Sequence, residues 1–338
     1  MQIISKYLHT HLFSSLINFF IPLFGIASLI FFIKMVSLTS VIQLSFFELM
    51  QLYIFILPQI LFFTLPVVFV AAAIAMLNRL SFEYELVALF SLGISPHKII
   101  SILAKLAALL SILLLLFSLI LTPQAKQLYK GFIIYKRAQA KFNIKPSEFG
   151  HKFGDWYIFI NSKKGDFYYD ISLYNHQLQN QENFITAKKA ALSNEKGHLA
   201  LTLYNGHAYT YKENSLKEIT FEQMKIYDTG SQTLFSYTDP FDYWKIATKS
   251  KKRAFDLTLF ILFSLFPLAT LYFLAAIGIS NPRYEKRGVF LPTLLLVALY
   301  FGISFALAKS LTFLALTTIP IWLFAGYILY KNLVAKRY

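Results

Sequence analysis

Apolar residues in this chain run unbroken over long stretches near both ends and alternate with polar ones in the middle. A helix needs about 20 apolar residues to cross the ~30 Å hydrocarbon core of a bilayer. Six segments reach that length: Leu12–Val36, Leu49–Leu77, Ile99–Leu121, Phe255–Ile279, Val289–Ala308 and Leu311–Tyr330. The second is longer than a span requires and holds Pro58 and Pro66, natural kink points. Ahead of the first span, Gln2–His11 mixes Ile3, Ile4, Tyr7 and Leu8 with Lys6, His9 and His11. That mixture predicts an interfacial amphipathic helix.

Between the third and fourth spans the pattern changes. Pro123–Lys145 interleaves Leu128, Phe132, Ile133 and Tyr135 with lysines, which predicts a helix stopped by Pro146. From about Asp155 the period becomes two. Trp156–Ile160, Phe167–Tyr174, Asn183–Leu192, Leu199–Tyr204, His207–Tyr211 and Glu218–Tyr227 read as strands. Asn205-Gly206 predicts a hairpin turn between two of them, and Lys163–Asp166 and Asn194–Gly197 predict further turns. Short strands at this spacing suggest an antiparallel sandwich or jelly roll. The expected fold is an α-helical membrane protein with six transmembrane helices (3+3) and an inserted extracytoplasmic β-jelly-roll domain. Residues 1–122 form the N-terminal membrane half, 123–253 the water-exposed domain and 254–338 the C-terminal membrane half.

Composition agrees with this division. Of 338 residues 57% are hydrophobic and only 14% charged, against roughly a quarter in soluble domains. The formal net charge of +15 suits an anionic partner. Nucleic acid is disfavoured because so much of the chain belongs in lipid; an anionic lipid remains. There is no cysteine, which removes disulfides, cysteine zinc sites and thiol nucleophiles. The first apolar run is too long for a cleavable signal peptide, and no small-residue cleavage site closely follows it.

Loop charges set the expected orientation. Loop 78–98 carries Arg79 and Lys98, loop 280–288 carries Arg283, Lys286 and Arg287, and the C-terminal tail carries Lys331, Lys336 and Arg337. On the other side, loop 37–48 has no Lys or Arg, and the turn between the last two spans has only Lys309. Both termini are therefore expected in the cytoplasm and the central domain outside it. The lysines of that domain run against this trend, but long translocated domains are largely exempt from the rule.

Catalytic motifs are missing. No glycine is followed by lysine, so there is no P-loop and no means of hydrolysing ATP through one. HExxH and GxSxG are also absent. His9 and His11 could ligate a metal, but an interfacial pair is the simpler reading. The spans carry no Asp or Glu near their middles, as an ion-coupled carrier would need, and Asp256 lies only at the edge of the fourth. Lys105, about two turns inside the third span, is expected to snorkel.

Asn78–Lys98 is the most informative polar loop. Phe82, Leu86, Leu89 and Phe90 fall at i, i+4, i+7 and i+8, Glu83 and Glu85 flank that stripe, and Gly93 and Pro96 end it. Periodicity alone fits either an interfacial helix or a coupling helix that docks a partner. RLSFEYELVALFSLGIS in this loop resembles the loop between spans two and three of the lipopolysaccharide-export permeases, the LptF/LptG family. Tyr243-Trp244-Lys245 is similar to the family's aromatic-basic step before span four. Asn281-Pro282-Arg283 with Lys286-Arg287 resembles its loop between spans four and five, although Glu285-Lys286 replaces the usual Gly-Arg ending. The architecture matches over the whole chain, and the Asn-Arg-Leu-Ser lead-in leans towards LptF.

The resemblance implies an exporter permease subunit without its own ATPase site and without a cofactor. Its partners would be a second permease of the family in a heterodimer, a cytoplasmic ABC ATPase dimer, a single-span periplasmic jelly-roll protein and lipopolysaccharide itself. The coupling helix 79–97 would dock the ATPase through Arg79, Glu83, Glu85, Leu89 and Gly93. Lys34, Lys249, Lys252 and Arg253 would contact lipid phosphate, and spans one and five would line the cavity. Solvated lysines are the plainer account of most of these cations. Two other functions stay open: a membrane-anchored scaffold for envelope polymers and a lipoprotein-releasing permease.

Overall fold

The computed structural model describes residues 2–38, 44–141, 151–153, 155–165, 167–178, 181–195, 198–212, 215–227, 238–280 and 288–336. The chain divides into two compact units. One holds residues 1–36, 50–126 and 239–338; the other holds 37–49 and 127–238.

In the first unit, helix α1 (Gln2–Leu38) is continuous. The interfacial helix expected at Gln2–His11 is thus the first three turns of the first span. Neither Gly nor Pro interrupts the sequence before Pro22, so nothing ends the helix at His11. Helix α2 (Phe46–Phe82) likewise stays one helix through Pro58 and Pro66. Helix α3 (Glu85–Ser91) follows a two-residue turn, and α4 (Pro96–Leu116) begins with its proline in the first turn, where no N–H is required.

Helix α4 passes through a π-helical turn, Phe117–Leu121, into α5 (Thr122–Lys141), so the helix expected to start at Pro123 continues the third span. Pro123 cannot donate to the carbonyl four residues back. That carbonyl, Leu119 O, instead accepts the indole N–H of Trp244 at 2.8 Å. The wider π turn is a known way to absorb such a mismatch. Pro146, the expected stop, lies outside the described residues.

The C-terminal half begins with the short helix α6 (Pro240–Lys245). The fourth span is broken into α7 (Lys251–Ala269) and α8 (Leu271–Gly278), bent by 44°. Pro267 lies just before the break, and Thr270 turns its hydroxyl back onto Phe266 O at 2.8 Å. Helices α9 (Phe290–Leu311) and α10 (Thr318–Tyr330) are joined by a 3-10 turn that opens at Thr312, φ 46°. The Tyr300 and Trp322 rings are 5.3 Å apart, so the chain doubles back between them. The described residues hold four helical stretches long and apolar enough to cross a membrane, and the bent α7–α8 pair makes a fifth. One of the four, Phe290–Ala335, is the doubled-back α9–α10 pair, which raises the number of spanning helices to six.

The second unit contains the inserted β domain. Strands β1 (His151–Phe153), β2 (Trp156–Lys164), β3 (Phe167–Leu178), β4 (Gln181–Glu195), β5 (His198–Lys212) and β6 (Ser215–Tyr227) form one antiparallel sheet in sequence order. Its core is a single cluster that includes Ile158, Ile160, Tyr168, Ile171, Leu173, Ile185, Leu201 and Leu203.

The hairpin expected at Asn205-Gly206 is absent, and both residues lie inside β5. The reason is a crease that crosses the sheet at one level. Pairing steps from Ile160↔Ile171 to Ser162↔Tyr169, from Ile171↔Ala187 to Tyr169↔Lys189, from Ala187↔Gly206 to Lys189↔Tyr204, and from Gly206↔Phe221 to Tyr204↔Gln223. Asn161, Asp170, Lys188, Asn205 and Glu222 are thus skipped in line, and all five are exposed. Asp170 and Asn205 each take a φ of 51°, a left-handed conformation that Asp and Asn tolerate best among non-glycine residues. Buried positions shift parity across the crease: Tyr168 then Ile171, Ala187 then Ala190, Leu203 then Gly206. A strict alternation would put the members of each pair on opposite faces. Here the pattern is restored on one face while register is unchanged. At Gly206 a Cβ would lie 2.1 Å from Thr186 O and 2.5 Å from the Phe221 ring, so only glycine fits. An open concavity of about 450 Å³ lies along the crease beside Asn161, Asp170, Lys188, Asn205 and His207.

Candidate coupling segment and cation cluster

The segment expected to form one coupling helix is divided. Arg79 sits on the last turn of α2, Glu83 and Tyr84 form the turn, Glu85 and Leu89 lie on α3, and Gly93 lies in the turn to α4. Tyr84 takes φ 61° and Gly93 takes φ 83°. Gly93 N–H donates to Phe90 O at 3.0 Å and Ile94 N–H to Leu89 O at 3.2 Å, which closes the C-terminus of α3 as a left-handed glycine cap does. Seven residues make too short a helix to hold itself together, so tertiary contacts must fix it. Leu86 is fully buried, and Leu89 and Phe90 pack against the same core. Next to it, Ser81 at the end of α2 accepts the Ser280 N–H at 3.3 Å and donates to Leu77 O at 2.9 Å.

The polar side of the segment carries a network. Arg79 and Glu83 form an exposed i,i+4 ion pair at 3.7 Å. Arg79 also bonds His11 Nδ1, and Tyr7 donates its hydroxyl to Glu85 Oε2. Tyr7 and His11 touch edge-to-face, their ring centroids 4.3 Å apart. Sequence reasoning missed Tyr7 and His11 as parts of this site. Their i,i+4 spacing puts them on one face of α1, but it does not identify partners almost 70 or more residues away. His9 and His11 are two residues apart and point to different sides of the helix, so they cannot share a metal. Among the described residues no group of three or more His, Cys, Asp or Glu is placed to hold a metal ion.

The proposed lipid-phosphate cations fall in two places. Lys34 is exposed one turn from the end of α1, with its ammonium 5.8 Å from the Phe31 ring. Lys249 and Lys252 are exposed around the start of α7. Arg253 is half-buried and already engaged: it donates to Tyr243 O at 2.9 Å and lies 3.6 Å from the Tyr243 ring. Burial pushes the Tyr243 hydroxyl above its ordinary pKa, Asp256 adds to that, and Arg253 opposes it. Lys126 belongs beside this group. It feels the charges of Asp256, Arg253 and Lys252, and its ammonium is 5.0 Å from the Phe260 ring. Tyr243 and Trp244 meet edge-to-face at 5.0 Å, and Trp244 meets Phe260 at 5.8 Å. The aromatic-basic step therefore forms the packed base of a cation cluster. The Asn281–Arg287 loop lies outside the described residues.

Apolar helices in two groups of three, with a β domain inserted between them, define a multi-pass membrane protein. A sequence model of the lipopolysaccharide export system permease LptF/LptG matches residues 6–331, nearly the whole chain, and the chain belongs to that family. A search of curated proteins finds no match.

Proposed function

We propose that this chain is one of two related permease subunits in an ATP-driven exporter. It would extract lipopolysaccharide from the inner membrane and pass it through its periplasmic β domain to a single-span jelly-roll bridge. A cytoplasmic ABC ATPase dimer supplies the energy, because the chain has no phosphate-binding loop of its own. The observation that carries this reading is α3, a short helix between two spans, cradled by the bundle core and edged by Arg79, Glu83 and Glu85.

Burial supports a cavity walled by the first and fifth spans. The most apolar window of α1 has none of its residues buried and that of Phe290–Ala335 only 17%, against 61% in α2. Ile17, Ile21, Ile26 and Ile33 on α1, and Leu291, Leu295, Leu299 and Ile303 on α9, are exposed apolar surface suited to acyl chains. Lys34 lies at the end of that surface, where a charged stem suits a lipid phosphate.

Charge reversal at Glu85 tests the docking. Glu85→Lys should abolish co-purification of the ATPase and stop export. Retention of both would refute the assignment. A photocrosslinker at position 34 should yield a lipopolysaccharide adduct, and its absence there and inside the β domain would refute the substrate. An associated ATPase also separates the exporter from a non-transporting scaffold.

A further inference from the structure

Helix α1 is one rod of 37 residues, about 55 Å long at ~1.5 Å per residue. Its buried apolar positions are Leu8 and Leu12 near one end and Met35 near the other; no described residue between Phe13 and Lys34 is fully buried. Midway, Ser28 and Tyr53 share a hydrogen bond. The Leu8–Leu12 end is the better anchored, because both residues join the core that also holds Leu80 and Leu86. Tyr7 and His11 lie on the same end and bond Glu85 and Arg79. Polar bonds and apolar packing thus tie α1 to both sides of the α2–α3 turn, to Arg79 on α2 and to the half-buried Glu85 on α3.

We propose that Tyr7 and His11 are a mechanical relay: they fasten the first span to the coupling segment, so that displacement at Glu85 swings α1, and Lys34 with it, as a lever. The inference rests on the reading that the ATPase docks at this segment. The physical case is stiffness. A helix transmits a push along its length, and a long helix with few buried residues between its ends meets little resistance from its own bundle. Helix α4, joined to α3 through the covalent turn at Gly93, is moved by the chain itself. Helix α1 is not next to α3 along the chain and follows it through the Tyr7 and His11 bonds together with the Leu8–Leu12 packing.

The chain has no cysteine, so two introduced ones carry the only spin labels on it. Ile3 on α1 and Leu92 after α3 are 83% and 77% exposed and suit labelling. In the assembled complex with a cysteine-free ATPase, in nanodiscs, the distance between labels at Ile3→Cys and Leu92→Cys should stay fixed when ATP binds. Adding Tyr7→Phe, which keeps the ring and removes the hydroxyl, should make that distance change with nucleotide. It should also lower lipid released per ATP at least three-fold while the ATPase stays bound. Labels that part in the unmodified relay on ATP binding would overturn the inference. So would normal lipid release per ATP in Tyr7→Phe, or loss of the ATPase from that variant, which would make Tyr7 a docking residue. If the chain with Tyr7 intact binds no ATPase, the docking reading itself fails, and this inference falls with it.

Discussion

The carbonyl of Leu119 loses its ordinary i+4 donor at Pro123 and accepts the Trp244 indole N–H. Leaving such a group unsatisfied costs about 1–3 kcal/mol. Trp244→Phe should therefore lower the thermal unfolding temperature in nanodiscs, by more than a surface substitution such as Lys249→Ala. Tyr300 is a second case. Its hydroxyl donates to Leu262 O at 2.9 Å, and its ring is buried against Phe266 and Trp322. Tyr300→Phe keeps the rings in place and should cost about 0.5–1.5 kcal/mol, measured the same way. Gly206 sets a steric limit, since a single methyl there collides with Thr186 O and the Phe221 ring. Gly206→Ala should destabilise the β domain by about 1–3 kcal/mol, the usual cost of overpacking.

At the scale of elements, hydrophobic runs located every spanning helix because lipid imposes one requirement over about 20 consecutive residues. Boundaries were harder. Gln2–His11 is polar enough to lie at an interface, yet polar side chains do not end a helix, and α1 runs straight through. Pro123 normally marks a helix start, but a π turn and an indole from more than a hundred residues away let the third span continue. Leu199–Tyr204 and His207–Tyr211 each alternate well, and Asn-Gly between them has the chemistry of a hairpin. The same left-handed tolerance serves the crease, and the difference lies in neighbouring strands that sequence does not name. A β-branched side chain resists that conformation, at roughly 1–2 kcal/mol. Asn205→Val should therefore unfold the β domain at lower urea than Asn205→Gly, which should leave it nearly unchanged. In the coupling segment the stripe of Leu86, Leu89 and Phe90 was legible, whereas the network through Tyr7 and His11 was not, because it joins residues distant in sequence.

At the scale of the whole molecule there are separate hydrophobic cores, one in the β domain and the others among the helices. Cores that share no cluster need not melt together. Urea unfolding in micelles should show two transitions, the first losing β-sheet signal while helical ellipticity persists. Gly206→Ala should shift the first transition and leave the second in place; a single transition shifted as a whole would show that the cores are coupled. The crease has a consequence for whatever meets the sheet edge. Among the described residues β6 ends the sheet, and its free side carries the interruption at Glu222. Because register is unchanged across the crease, an ordinary strand laid along β6 keeps its pairing count there, but its strict alternation does not match the change of face at that level. The edge is thus keyed in shape: along its full length it fits best a strand that creases at the same level, and a flat, strictly alternating strand fits it less well.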